Sequence, residues 1–153
     1  MKEGMTSPDD RLIILLDLNY TLVANNPPRG TTPPGMEKRL KEERYRQWLV
    51  ELIRPHHVIL ITARPDRWKK ATLARIATST GWSPDAAYFA PAGASYPPRI
   101  KKHLLLDKIL PSLASRTVVV AIESNPKTRQ MYGAFGIACL CVSENGAGVN
   151  AEA

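Results

Sequence analysis

Leu12-Ile13-Ile14-Leu15-Leu16-Asp17-Leu18-Asn19-Tyr20-Thr21-Leu22 is an apolar run that delivers a single carboxylate and passes at once into a polar, turn-like segment. Large aliphatic residues in unbroken succession suit a strand covered on both faces, as in a parallel sheet. In open α/β sheets, ligands gather outside the carboxyl ends of the strands. Asp17 therefore stands where such a fold does its chemistry.

Working outward, the chain alternates strand and helix without an internal repeat. Ala24 to Gly35 is a loop by its Asn, Pro and Gly content. A helix is expected from about Met36 to Arg54, with Tyr45, Trp48, Leu49, Leu52 and Ile53 as its apolar stripe and Pro55 as its stop. Val58 to Thr62 reads as a second buried strand. A helix follows from about Asp66 to Thr80, with Gly81 placed to cap it. Ala86 to Phe89 is a short third strand, and Pro91 to Pro98 a loop. The next helix, about Arg99 to Ala114, carries Ile100, Leu104, Leu105, Ile109 and Leu113, and Pro111 is placed to break it. Thr117 to Ile122 is a fourth strand. Asn125 and Pro126 cap and open a helix that ends near Gly136. Ile137 to Val142 is a fifth strand, and the small polar tail from Glu144 to Ala153 is expected to be disordered. Repeated strand-helix units predict a parallel sheet with right-handed crossovers.

Composition narrows the class. A chain of 153 residues with 44% hydrophobic content has enough length for one domain with a proper core, expected over about residues 11–143 with flexible tails on either side. No apolar run approaches the roughly 18 residues of a membrane-spanning helix, and the first ten residues lack a secretory signal core. Both features predict a cytoplasmic protein without a membrane partner. Cys139 and Cys141, the two cysteines, lie two apart in an apolar strand. They are expected to be buried reduced thiols on one face. The net charge of +7 suits an anionic partner, such as a nucleotide or a nucleic acid.

Four polar clusters fall at strand ends or helix starts. They are Asp17 with Asn19 and Thr21, then Thr62 with Ala63 and Arg64, then Lys101-Lys102, then Glu123-Ser124-Asn125-Pro126. The order Asp, Thr, Lys, acidic cluster resembles the motifs of the haloacid dehalogenase (HAD) superfamily of phosphohydrolases, whose first motif reads Asp-x-Asp-x-Thr. The likeness extends over about Leu12 to Val142. It is similar in particular to the capless 3′-phosphatase domain of phage-type polynucleotide kinases, on the lysine that opens a helix before the acidic strand and on Gly136-Ile137-Ala138-Cys139.

This resemblance implies a Rossmann-like, three-layer α/β domain with a mostly parallel five-stranded sheet in the order 3-2-1-4-5. It implies a magnesium-dependent phosphatase acting through an aspartyl-phosphate on a phosphorylated small molecule, a nucleotide or a nucleic-acid end. Asp17 would be the nucleophile, because a carboxylate can attack phosphorus. Thr62 and a lysine would stabilise the phosphoryl group; of Lys101, Lys102 and Lys108, the alignment favours Lys102. Thr21, Arg64 and Lys101 would contact substrate. Asp17, the backbone carbonyl of Asn19, Glu123 and Asn125 would surround Mg²⁺, which prefers hard oxygen ligands. Two positions depart from the pattern. Asn19 replaces the acid/base carboxyl, a function worth about 10²–10⁴-fold, and Ser124 replaces a carboxylate beside the metal. They motivate a second reading, a degenerate domain that binds phosphoesters or a partner with little turnover.

Overall fold

The computed structural model describes residues 12–28, 30, 34–115, 117–142 and 149–152. The expected N-terminal tail and residues 144–148 and 153 of the expected C-terminal tail lie outside the described residues, as do Arg29, residues 31–33 of the Pro-rich loop, and Arg116. Five parallel strands form the sheet: β1 (Leu12–Leu16), β2 (His57–Pro65), β3 (Ala86–Ala90), β4 (Val118–Ile122) and β5 (Ala138–Val142). Their spatial order is β3-β2-β1-β4-β5, and an antiparallel β6 (Val149–Glu152) is added at the β5 edge. The tail expected to be disordered therefore contributes a strand. Its backbone pairs with β5, and such pairing can be made without an apolar pattern.

The helices are α1 (Met36–Glu42), α2 (Gln47–Ile53), α3 (Lys69–Thr80), α4 (Pro97–Leu104) and α5 (Pro126–Ala134). Side chains of a strand alternate between faces, and here both faces are apolar. Ile14, Leu16, Val58 and Leu60 share one buried cluster with Leu49, Val50 and Ile53 of α2 and Ile76 of α3. Ile13, Leu15, Ile59 and Ile61 share the other with Leu105, Ile109 and Tyr132. The three layers follow directly: helix, sheet, helix.

Several element ends obey their local signals. Gly81 adopts φ +69 and closes α3. Asn125 accepts from the Lys127 N–H and Pro126 opens α5. The α4 helix passes into a wider turn at Leu105–Ile109 and a tight one at Leu110–Ser112, where Pro111 ends it. Cys139 is buried and Cys141 half-buried, both as free thiols.

A second expectation fails. The single helix from Met36 to Arg54 is two, because Glu43 and Arg46 are extended and Tyr45 bridges Val23 in an antiparallel contact. The break turns the Glu43 carboxylate inward, where it meets Arg64. Helical periodicity continues through the interruption, so it carries no warning of it.

Candidate active site

Asp17 and Glu123 become neighbours through strand register. Leu16 of β1 pairs with Ile122 of β4, so the residue after each emerges at the same sheet end. The Asp17 N–H donates to the Ile122 carbonyl and the Glu123 N–H to the Leu140 carbonyl, which fixes both main chains there. Leu60 of β2 lies level with Leu16, which brings Thr62 to the same end. These side chains line a cavity of about 150 Å³ together with Asn19, Ala63, Pro97, Lys101, Ser124 and Thr128. That volume suits a phosphoryl-sized group.

The cavity floor is a buried ion triad. Lys101 Nζ lies 2.5 Å from Asp17 Oδ1 and 2.5 Å from Glu123 Oε1. Lys102, expected at this place, is exposed. Helix geometry decides between them. Residues four apart share a helix face, and Lys101 stands above Leu105 and Ile109, both fully buried, whereas Lys102 stands above Leu106, which is 43% exposed. Lys108 is exposed too and lines a different cavity.

The remaining carboxylate oxygens are also held. Asp17 Oδ2 accepts from the Thr21 hydroxyl at 2.7 Å and from the Ser124 hydroxyl at 3.5 Å. Glu123 Oε2 accepts from the backbone N–H groups of Ser124 and Asn125. Burial would raise the Asp17 pKa, but the Lys101 ammonium and these hydrogen bonds outweigh it, so the carboxyl stays below its ordinary range. Glu123 is pushed up to about 8, by burial first and the Asp17 charge second, with Lys101 opposing. Burial would lower the Lys101 pKa, yet the two carboxylates hold it well above normal. Asp17 is thus the group kept ionised, as a carboxylate nucleophile requires.

Two expected contacts, Thr21 and Arg64, fall elsewhere. Thr21 is fully buried and orients Asp17. Arg64 is 2% exposed and therefore withdrawn from substrate. It forms a bidentate pair with Glu43, at 2.7 and 3.1 Å, and also donates to Thr72 Oγ1 and Asn19 Oδ1. Asn125 lines the cavity as expected, and its side-chain oxygen accepts from the Lys127 N–H as a helix cap. Thr62 is buried at the cavity, and its oxygen accepts from the Arg64 N–H. Its own O–H remains available to donate.

Thr128 was not legible as a site residue. It is fully buried and lines the cavity, and its hydroxyl has no hydrogen-bond partner among the described residues. A buried polar group without a partner calls for a ligand or ordered water. Its position in the first turn of α5, after the Asn125-Pro126 start, is the signal that could have flagged it. Asn19 is oriented by the same reasoning. Its Oδ1 faces Arg64, so its Nδ2 is the end left to face the cavity, an assignment made from the network.

The backbone is unusual on two sides of the cavity. Tyr20 (φ +62) and Tyr96 (φ +68) are the two non-glycine residues with positive φ among the described residues. Tyr20 is held there by its N–H to Asn26 Oδ1 at 2.5 Å and its hydroxyl to the Pro27 carbonyl at 2.6 Å. Such conformations cost roughly 1–3 kcal/mol and tend to collect at functional sites.

The donors present fit magnesium in kind. Mg²⁺ commonly takes one or two carboxylates and completes its shell with water and phosphate oxygens. Asp17, Glu123 and the Asn19 carbonyl would supply such a set. Among the described residues there is no group of three or more His, Cys, Asp or Glu side chains able to hold a metal, so a cage built wholly from protein side chains is not the model for this site. No helix among the described residues is long and apolar enough to cross a membrane.

No family model matches the chain, and no curated protein matches it. Solved structures do. A chain in a structure described as the Pnkp1/Rnl/Hen1 complex is similar with a TM-score of 0.68 at 14% identity, over 93% of this chain and 49% of that one. A chain in the Pnkp1/Rnl/Hen1 RNA repair complex is similar with a TM-score of 0.68 at 16% identity, over 91% of this chain and 44% of that one. This protein thus spans about half the length of those chains, and at such identity the likeness is one of fold.

Proposed function

We propose that the protein is a magnesium-dependent phosphatase of the HAD type, acting on the phosphomonoester of a nucleotide or a nucleic-acid end. The observation that carries this reading is Asp17, kept ionised by Lys101 on the floor of a phosphoryl-sized cavity. One of the similar structures is described as an RNA repair complex, which supports a nucleic-acid end as substrate.

In this scheme an Asp17 oxygen attacks phosphorus, the phosphorus–oxygen ester bond breaks, and an aspartyl-phosphate forms. The hydroxyls of Thr62 and Thr128 and the Asn19 amide donate to the phosphoryl oxygens, and Lys101 offsets their charge. A phosphate dianion beside Asp17 and Glu123 carries more negative charge than one ammonium balances. Mg²⁺ bound by Asp17, the Asn19 carbonyl and Glu123 would supply that charge. Asn19 cannot hand a proton to the leaving oxygen, so water must supply it. Water then opens the phosphoenzyme and returns Asp17.

A second reading is favoured by the Arg64–Asn19 contact, which makes residue 19 a fixed amide donor instead of an acid. The domain would then bind phosphoesters with little turnover. Incubation with an aryl phosphate and magnesium, comparing the protein with Asp17→Asn, separates the two. Release of phosphate that depends on Asp17 supports the phosphatase. Phosphate binding without release supports the binding domain.

A further inference from the structure

Beside the cavity, the outer face of α4 meets α5 in a groove of about 440 Å³ lined by Tyr96, Arg99, Lys102, His103, Leu106 and Met131. No carboxylate lines it. Tyr96 is 48% exposed and has two cations near its ring, with Arg99 Cζ 5.8 Å and Lys127 Nζ 5.9 Å from the ring centre. None of Arg99, Lys102 and Lys127 forms an ion pair among the described residues. A larger cavity, about 860 Å³, lies against β3, but there Arg67, Lys69 and Lys108 share the lining with Asp66 and Asp107. The smaller groove has one sign of charge and an exposed ring.

The groove neighbours the site. Pro97, the residue after Tyr96, lines the phosphoryl cavity, and so does Thr128, the residue after Lys127. The positive φ of Tyr96 sets the direction in which the ring leaves the chain, at a place where most side chains avoid such a backbone.

We infer that this groove is a binding site for single-stranded nucleic acid, with a base stacked on Tyr96 and backbone phosphates against Arg99, Lys102 and Lys127. An aromatic face flanked by cations without acidic neighbours is the chemistry of strand binding. Any base offers a π-face, and the phosphates supply the charge. The inference rests on the proposed function only for the terminal phosphate, which would enter the Asp17 cavity while the following nucleotide lies on Tyr96.

The test is fluorescence anisotropy with a short single-stranded oligonucleotide carrying a terminal phosphate, labelled at its other end. Binding at low salt should fall steeply as salt rises. Tyr96→Ala should weaken it about tenfold, within the usual range for one stacked base, while Tyr96→Phe keeps it. Arg99→Glu with Lys127→Glu should weaken binding and flatten its salt dependence. Aryl phosphate turnover should stay unchanged in all three variants. Strand binding with these dependences, in a protein that releases no phosphate, supports the groove and ends the phosphatase reading. Turnover of aryl phosphate, with strand affinity indifferent to Tyr96 and to the charge reversals, overturns the groove and leaves the phosphatase. Absence of strand binding at low salt also overturns it.

Discussion

Arg64 Nη2 donates to Asn19 Oδ1 at 2.8 Å while the same guanidinium grips Glu43. The two residues are 45 positions apart in sequence, and their contact fixes which end of the Asn19 amide faces the site. A carboxyl at position 19 would inherit the same hold, with one oxygen on Arg64 and the other toward the cavity.

Asn19→Asp is therefore expected to raise aryl phosphate turnover. General acid/base help spans about 10²–10⁴-fold, and the lower end is expected because the guanidinium keeps the new carboxyl ionised. Steady-state kinetics in magnesium measure it, and intact mass would show whether a phosphorylated species accumulates in the parent protein. The pair Asn19→Asp with Ser124→Asp is the stricter version. A folded double variant without turnover counts against the phosphatase.

Lys101→Met should abolish turnover and leave two buried carboxylates without their cation. Breaking a buried pair in this way costs about 3–5 kcal/mol. Added magnesium should recover part of that loss, since it would then serve as the cation between Asp17 and Glu123. Thermal melts with and without magnesium read both effects. Lys102→Met should melt like the parent, and a Lys102 variant that loses turnover while Lys101→Met keeps it would reverse the assignment.

Magnesium itself should bind weakly to the parent protein and lose its site in Asp17→Ala. Isothermal calorimetry measures the difference. Equal binding by the two proteins would remove Asp17 from the metal site.

Glu43→Ala tests the second buried pair. Arg64 would keep its charge in a place with 0% side-chain exposure and lose its bidentate partner. The expected cost is about 3–5 kcal/mol, or a melting temperature lower by roughly 6–20 °C for a domain of this size. A change within error would show that Arg64 leaves its buried position.

Glu123 gives stability a pH dependence. Its folded pKa, about 8, lies above the ordinary value of 4.5. Between those values the folded state binds more protons than the unfolded chain, so the Glu123 contribution falls as pH rises from about 5 to 8. Asp17 acts the other way, but its window lies below its ordinary 3.8. The melting temperature should therefore decline over the neutral range in the parent protein and decline less in Glu123→Gln. Parallel pH profiles would exclude Glu123 as the source.

The strands were legible because an uninterrupted aliphatic run, such as Leu12 to Leu16 or Val58 to Ile61, has few alternatives to a doubly covered strand. Asp17, Thr62 and Glu123 were legible for a related reason: a polar residue that ends such a run must emerge at the sheet's carboxyl edge. The caps at Gly81 and Asn125 are local chemistry and needed no tertiary information.

Other features depend on partners distant in sequence. Glu43 lies in a helical pattern, and only the buried guanidinium of Arg64, 21 residues away, accounts for the break that brings it inward. Arg64 looked like a substrate contact because its charge was visible and its partner was not. That Lys101 and not Lys102 is buried was present in the spacing to Leu105 and Ile109, but recognising it required knowing which face of α4 meets the sheet. Thr128 became notable only as a buried hydroxyl without a partner. The sequence by itself determined the five parallel strands, their alternation with helices and the strand-end carboxylates, because these follow from local pattern. The tertiary structure decided which charges neutralise one another, because burial and pairing arise only when distant segments meet.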